Sequence, residues 1–393
     1  MKRIRSKFLI TCEGSPIRNG SVIFDDDGRV VSVSDSQDES EYDYFDGIVC
    51  PGFTNAHCHL ELSHLKGYFR QATGMDGFIQ QINELREVVG PEKRLEDMTR
   101  EMNSLWEQGV GAMGDISNCV ESFALKAKSP LYTRTFLEVF GTEPQDADGI
   151  VRDVVELQKK AVEAGIDAAP TPHSPYTSSA LLIQKVSAEG LKSGYLSYHS
   201  QESREEEDML RYGTGALADD YHGRGVSTPE VADRSALEYF LEILQKIHPA
   251  PFMEHILLIH NVATDQESID AAKAVLKNVF WVLCPLSNWF IHRAMPPIGL
   301  MRANGLKLCV GTDSLSSNTV LSMVEEIKCL QDHFPEVPVE EFFTWACLNG
   351  AEAIGVDGRF GSFTPGKQPG AVFISNVTDD FKLTSESESK RIF

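Results

Sequence analysis

Residues 51–60 read Pro51-Gly52-Phe53-Thr54-Asn55-Ala56-His57-Cys58-His59-Leu60, a β-prone run that ends in two histidines one residue apart. Strand side chains alternate with period two, so His57 and His59 share one side of a strand while Cys58 takes the other. Such an H-x-H pair can chelate one metal ion; two satisfied core histidines are the ordinary alternative. With 48–56 as the first, further runs of buried-strand character follow at 111–116, 132–139, 167–172, 194–198, 256–260, 279–284 and 306–311. Helical periodicity fills intervals such as 150–164 and 231–247, and an amphipathic stretch at 323–330 follows the last run. Eight alternating units predict an α/β fold, the (β/α)8 TIM barrel, whose active site lies at the carboxyl ends of its strands.

The flanks read differently. Phe8-Leu9-Ile10-Thr11, Ser21-Val22-Ile23-Phe24 and Arg29-Val30-Val31-Ser32-Val33, with the turn Asp25-Asp26-Asp27-Gly28 between the last two, suggest short strands. Phe363-Thr364-Pro365-Gly366-Lys367 and Gly370-Ala371-Val372-Phe373-Ile374 restore that character near the end. The expected organisation is a catalytic barrel over 51–357 and a small β-sandwich built from 1–50 and 358–393.

Lys and Arg total 36 against 58 Asp and Glu, a formal charge of −22 that a nucleic-acid backbone would repel. No apolar stretch approaches the roughly 18 residues of a membrane span. After the basic start, Phe8-Leu9-Ile10 is too short for an export signal. None of the eight cysteines pairs with another at C-x-x-C spacing, which argues against a disulfide framework or a cysteine zinc knuckle. A soluble cytoplasmic protein with reduced thiols is expected, and a homo-oligomer is compatible with this composition.

Polar residues gather where the expected strands end. His57 and His59 close the first run, His173 the fourth, His199 the fifth, His260 the sixth and Asp313 the eighth, with Ser287 and Asn288 after the seventh. Imidazoles with a carboxylate are the usual ligand set of a single zinc ion and also accept iron. A catalytic ion keeps one position for water and lowers its pKa from 15.7 to about 7. A proton carrier is then needed. Glu202, three residues after His199, stands where the chain leaves its strand; the alternative is the start of a solvated acidic run through Glu205-Glu206-Glu207-Asp208.

These motifs, together with Pro172-His173-Ser174-Pro175-Tyr176, Leu258-Ile259-His260-Asn261, Cys284-Pro285-Leu286-Ser287-Asn288 and Gly311-Thr312-Asp313-Ser314, resemble the amidohydrolase superfamily. The likeness is to its mononuclear branch of adenosine-type and S-adenosylhomocysteine deaminases and chlorohydrolases. The resemblance implies metal ligation by His57, His59, His199 and Asp313, and proton shuttling by Glu202. It implies orientation of the water by His260, its activation by Asp313, and substrate contacts from Glu61, His173, Ser287 and Asn288. Glu61-Leu62-Ser63 departs from the usual S-adenosylhomocysteine deaminases and is similar to aminodeoxyfutalosine deaminases. Dinuclear relatives carry a carbamylated Lys at the fourth strand end, and 167–173 contains none, which favours one metal. Guanine deaminases carry an Arg where His173 and its neighbours stand, which favours a nucleoside over a free base.

The expected activity is hydrolytic deamination of an amino-heterocycle. A chlorohydrolase, a cyclic amide hydrolase and a silent metal-binding protein are the alternatives. Gly109-Val110-Gly111-Ala112-Met113-Gly114 matches a dinucleotide fingerprint but runs from helix into strand, the reverse of the required order, and reads as a turn. His248, His255 and His333 suit surface or packing roles. The segment Asp219-Asp220-Tyr221-His222-Gly223-Arg224-Gly225 has the polar, glycine-bearing make-up of a lid, while Trp289 and Phe290 suit either stacking on a heterocycle or core packing.

Overall fold

The computed structural model describes residues 1–35 and 41–393. The N-terminal strands are β1 (Lys2–Leu9), β2 (Ile17–Arg18), β3 (Ser21–Phe24), β4 (Val30–Ser34) and β5 (Asp43–Cys50). Next come β6 (Phe53–Cys58), β7 (Val110–Ser117), β8 (Tyr132–Val139), β9 (Asp167–Pro172), β10 (Tyr195–Ser200), β11 (Phe252–His260), β12 (Leu276–Leu283) and β13 (Leu308–Val310). Helices separate them, among them Pro91–Glu107, Ala147–Glu163, Ala180–Gly190 and Gln266–Val275. Every residue of β6 and β7 is buried, as befits parallel strands covered on both faces.

β6 to β9 form one parallel four-stranded sheet and β10 to β13 another. Two sets of bonds join them. At one seam, His199 N donates to His173 O at 2.9 Å and Ser197 N to Thr171 Oγ1 at 3.1 Å. At the other, Thr312 N and Asp313 N both donate to His57 O, at 2.9 and 3.1 Å. Gly311 makes the second approach possible, since a Cβ there would lie 2.8 Å from both Cβ and O of His57.

The tail strands β14 (Val372–Ile374) and β15 (Ser389–Arg391) join the N-terminal ones in the order β15-β14-β5-β1-β3-β4, with β2 beside β1. The tail therefore pairs with the N-terminal unit as expected, through Val372 opposite Cys50 and Ile374 opposite Ile48. Among the described residues these seven strands belong to one hydrogen-bonded sheet.

Two sequence boundaries need correction. The run 48–56 is divided between β5 and β6, because Pro51 has no N–H for a ladder and Gly52 passes so near the tail that a Cβ would lie 2.4 Å from Pro369 O. The helix expected over 231–247 is Ala236–Gln245. Its start is fixed by a reciprocal cap: Ser235 Oγ accepts from Glu238 N at 3.1 Å, and Glu238 Oε2 accepts from Ser235 N at 2.8 Å. The same helix packs Phe240 on Tyr198 of β10, with ring centroids 3.8 Å apart and planes within 8°. Such a pair adds about 0.5–1.5 kcal/mol beyond its buried area and steadies the strand that carries His199.

Candidate active site

The polar residues at the carboxyl ends of the strands converge. The His57 ring lies 4.9 Å from that of His59, 4.8 Å from that of His199 and 5.9 Å from that of His260, measured between centroids. Asp313 Oδ1 stands 3.8 Å from His57 Nε2 and 3.6 Å from His59 Nε2. Asp313 takes a left-handed φ of 55° and His260 one of 74°, an uncommon conformation for such residues that the surrounding structure must support.

Both ring nitrogens of His57 are buried and have no hydrogen-bond partner. An orphaned buried nitrogen is costly, and a cation in the cluster would take up one of the two, as Nε2 on the side of Asp313 is placed to do. Three overlapping groups bring single ligand atoms within 4.8 Å of one another: His57 with His199 and His260, His57 with His59 and Asp313, and His59 with Glu138 and His199. Burial, followed by neighbouring imidazoles, holds His57, His199 and His260 well below the usual histidine range. Neutral imidazole is the form a metal ligand must take. These residues fit a divalent ion.

Glu202 is buried beside this cluster, with Oε1 3.6 Å from His260 Nε2 and Oε2 accepting from the Tyr176 hydroxyl at 3.3 Å. Burial, then Asp313 and Glu206, raises its carboxyl well above the usual range, so it keeps a proton where exposed carboxylates have lost theirs. Asn288 Nδ2 donates to His260 Nδ1 at 3.0 Å, which leaves the ring proton of the neutral His260 on Nε2, facing Glu202. Ser287 Oγ donates to Asp313 Oδ2 at 2.6 Å, and Ser317 Oγ does so at 2.8 Å.

A cavity of about 470 Å³ opens above these groups, lined by His59, Glu61, Glu138, His173, Glu202 and Asp313 and walled by Phe78, Ile79, Ile82 and Phe140. Its volume suits a small-molecule ligand, and apolar walls with a few convergent polar groups are the usual make-up of such sites. His173 stacks on His199, with centroids 4.2 Å apart, and its Nδ1 pairs with the Thr177 hydroxyl at 2.9 Å. Glu61 Oε2 accepts from Asn118 N at 2.8 Å, leaving its carboxylate at the cavity edge.

Several expectations change. Ser287 and Asn288 are fully buried and are not among the residues lining the cavity; Ser287 bonds Asp313 and Asn288 bonds His260. The acidic run after Glu202 is not simply a solvated face. Glu206 is fully buried and accepts from Gln201 N at 3.1 Å and Glu202 N at 2.7 Å, while Glu205 accepts from Met75 N at 2.7 Å. The segment around His222 is largely the helix Ala216–Arg224; His222 faces outward, and Tyr221 and Arg224 reach the cavity. Phe290 is core, packed with Leu65 and Phe69, and Trp289 lies against His333. His255 falls inside β11, where its Nδ1 pairs with Glu352 O at 3.0 Å.

Sequence reading missed Glu138, Tyr176 as a partner of Glu202, and the buried ion pair of Asp115 with Lys126, whose carboxylate also accepts from Leu60 N at 3.1 Å. Glu138 had a signal: a carboxylate inside the apolar run Phe136-Leu137-Glu138-Val139. The ion pair had none, since its members belong to different elements.

The sequence model of the amidohydrolase family matches residues 48–387. The chain belongs to the amidohydrolase family. Among its relatives, the aminodeoxyfutalosine deaminase of a Nitratiruptor species is 28% identical over 319 residues, covering 79% of this amidohydrolase and 75% of the relative. An adenosine deaminase of Helicobacter pylori is 25% identical over 368 residues, covering 89% and 86%. The crystal structure of Helicobacter pylori aminofutalosine deaminase in complex with methylthio-coformycin superimposes with a TM-score of 0.79 at 22% identity, over 98% of this amidohydrolase and 94% of that chain. At that identity the likeness carries the fold, of the TIM-barrel type. Among the described residues no helix is long and apolar enough to cross a membrane.

Proposed function

We propose that this amidohydrolase is a metal-dependent hydrolytic deaminase of an aminopurine nucleoside or a close derivative, with aminodeoxyfutalosine a specific candidate substrate. The observation that carries the reading is the clustering of His57 with His59 and Asp313 and of the same His57 with His199 and His260, each group with its ligand atoms within 4.8 Å of one another, with Glu202 lining the same cavity. The two deaminase relatives and the cavity's size support the substrate class. We take the two parallel sheets as halves of one (β/α)8 barrel over 51–357, flanked by the β unit of 1–50 and 358–393.

His57, His59, His199 and Asp313 would hold one divalent ion, zinc before iron given the imidazole-rich set. Bound there, the ion supplies Lewis acidity and a water whose pKa falls to about 7. Asp313, steadied by Ser287 and Ser317, takes a proton from the attacking water. Glu202 gives its proton to the ring nitrogen beside the amino-bearing carbon. His260 presents Nε2–H to the incoming oxygen, its ring fixed by Asn288. Addition breaks the C=N π bond; the proton taken up by Asp313 then passes to the amino nitrogen, the C–N bond breaks, and ammonia leaves as the new C=O forms and the hydroxyl's remaining proton returns to Glu202. His173 and Glu61 reach the cavity from the sides, where a nucleoside's hydroxyls would lie.

The test is ammonia release from a panel of aminopurine nucleosides, free bases and chlorotriazines, with Glu202→Gln beside the unaltered protein. A nucleoside should be turned over fastest, and the variant should keep its metal yet slow by about 10²–10⁴, the usual worth of a general acid–base group. Near-normal turnover by Glu202→Gln, or faster turnover of a chlorotriazine, would defeat the reading.

A further inference from the structure

The mechanism above leaves one buried acid unused. Glu138, near the end of β8, is 3% exposed, and its Oε1 has no hydrogen-bond partner although it lies 3.3 Å from His199 Nδ1, itself buried and unpartnered. Each atom is thus the polar neighbour the other lacks. Carboxylates crowd the residue, since Glu61, Asp313 and Glu202 all line the same cavity, and the one guanidinium among the lining residues near it, Arg86, already lies 3.8 Å from Glu61. A lone negative group would be disfavoured there unless something cationic, or a donor tied to a cation, faced it.

Covalent geometry supplies the link. An imidazole has two nitrogens on different edges of one ring, and with Nδ1 turned to Glu138, Nε2 is the atom left for the cluster of His57, His59 and Asp313. We propose that Glu138 is a positioning residue that accepts a hydrogen bond from His199 Nδ1–H, fixing the tautomer and ring angle at which His199 presents Nε2 to a metal ion. The inference rests on the metal site proposed above. A ligand histidine generally donates its second N–H to a carboxylate, carbonyl or water, and loss of that acceptor weakens metal binding about 10–100-fold. Holding the ring from β8 also relieves His173, whose stacking fixes the plane of His199 but not which nitrogen carries the proton.

The experiment compares zinc affinity, by competition with a chromophoric chelator, for the unaltered protein, Glu138→Ala, Glu138→Gln and Glu138→Met. Glu138→Ala should bind zinc about 10–100-fold more weakly. Glu138→Gln keeps a carbonyl acceptor and should stay within about threefold of the parent, while Glu138→Met, of similar bulk but without an acceptor, should bind as weakly as Glu138→Ala, a split that loss of packing alone would not give. Because the alanine variant can fail to fold, nitrogen-15 spectra of the unaltered zinc-loaded protein give an independent reading: His199 should carry its proton on Nδ1. A proton on Nε2, or equal zinc affinity in all four proteins, overturns the proposal. So does a second zinc lost with Glu138, which would make it a ligand, or a raised KM with unchanged zinc affinity, which would make it a substrate contact. If the unaltered protein binds no zinc, the proposed metal site itself fails, an outcome distinct from each of these.

Discussion

Replacing Glu206 by Gln should remove a pH dependence built into the loop that carries Glu202. The Glu206 carboxyl is pushed up to about 8, by burial first and Glu207 second, against the backbone N–H groups of Glu202, Gln201 and Ser203. In the unfolded chain the same group titrates near 4.5. Between these values the folded state holds a proton that the unfolded chain has released. Its contribution to stability is therefore fully present below about pH 4.5 and is lost as pH rises through about 8. One proton corresponds to about 1.4 kcal/mol per pH unit, so from pH 5 to 7.5 the unaltered protein should lose about 3 kcal/mol through this group. Glutamine cannot titrate. Its carbonyl can accept one of the two N–H donors while its NH₂ faces the other, a pH-independent cost of about 1–3 kcal/mol. Urea unfolding of both proteins at half-unit pH steps, at fixed zinc concentration, measures the difference in their stabilities. The margin of the unaltered protein over the variant should fall by about 3 kcal/mol across the window, closing or changing sign near its upper end; a margin that stays constant to within about 0.5 kcal/mol would refute the assignment.

Alanine at His57, His59, His199 or Asp313 should each abolish both bound metal and turnover, with elemental analysis and ammonia release as readouts; activity that survives exhaustive chelation would contradict this. His173→Ala should lower kcat/KM on a nucleoside by more than on the matching free base while leaving metal content unchanged, because a polar group built into a site discriminates by up to about 10⁴; equal effects on both would argue against a substrate contact. Lys126→Met should destabilise by about 3–5 kcal/mol by stranding Asp115, and adding Asp115→Asn should recover much of the loss. Thermal unfolding checks this pair, and a cost under about 1 kcal/mol would show the ion pair to be dispensable.

Much of the architecture was legible because buried parallel strands advertise themselves: Tyr132–Val139 and Asp167–Pro172 coincide with their apolar runs. The clustering of His57, His59, His199, His260 and Asp313 was legible for a related reason, since imidazoles and a carboxylate recurring where such runs end have few roles in packing. What escaped depends on contacts between distant segments. Pro51-Gly52 was a local sign of a break between two strands, but the apolar pattern that continues through it masked the boundary. That Ser287 bonds Asp313 and Asn288 bonds His260 follows from the turn of their helix, which no spacing in the sequence shows. Glu206 looked solvated because its neighbours are charged, whereas its helix buries that one position under the backbone it holds.

The two seams between the parallel sheets carry a consequence for how the enzyme is made. His57 and Asp313 meet across one seam and His173 and His199 across the other, so neither sheet alone contains the proposed centre. A ribosome delivers the imidazoles of β6 and β10 long before Asp313 emerges, and until then the cluster lacks the carboxylate that completes it. A chain released early, or nicked and separated between the sheets, is on this reading inert rather than partly active. Turnover then reports that the last strand has docked against the first, and two complementary fragments, each silent alone, would regain it only by reassembling both joins.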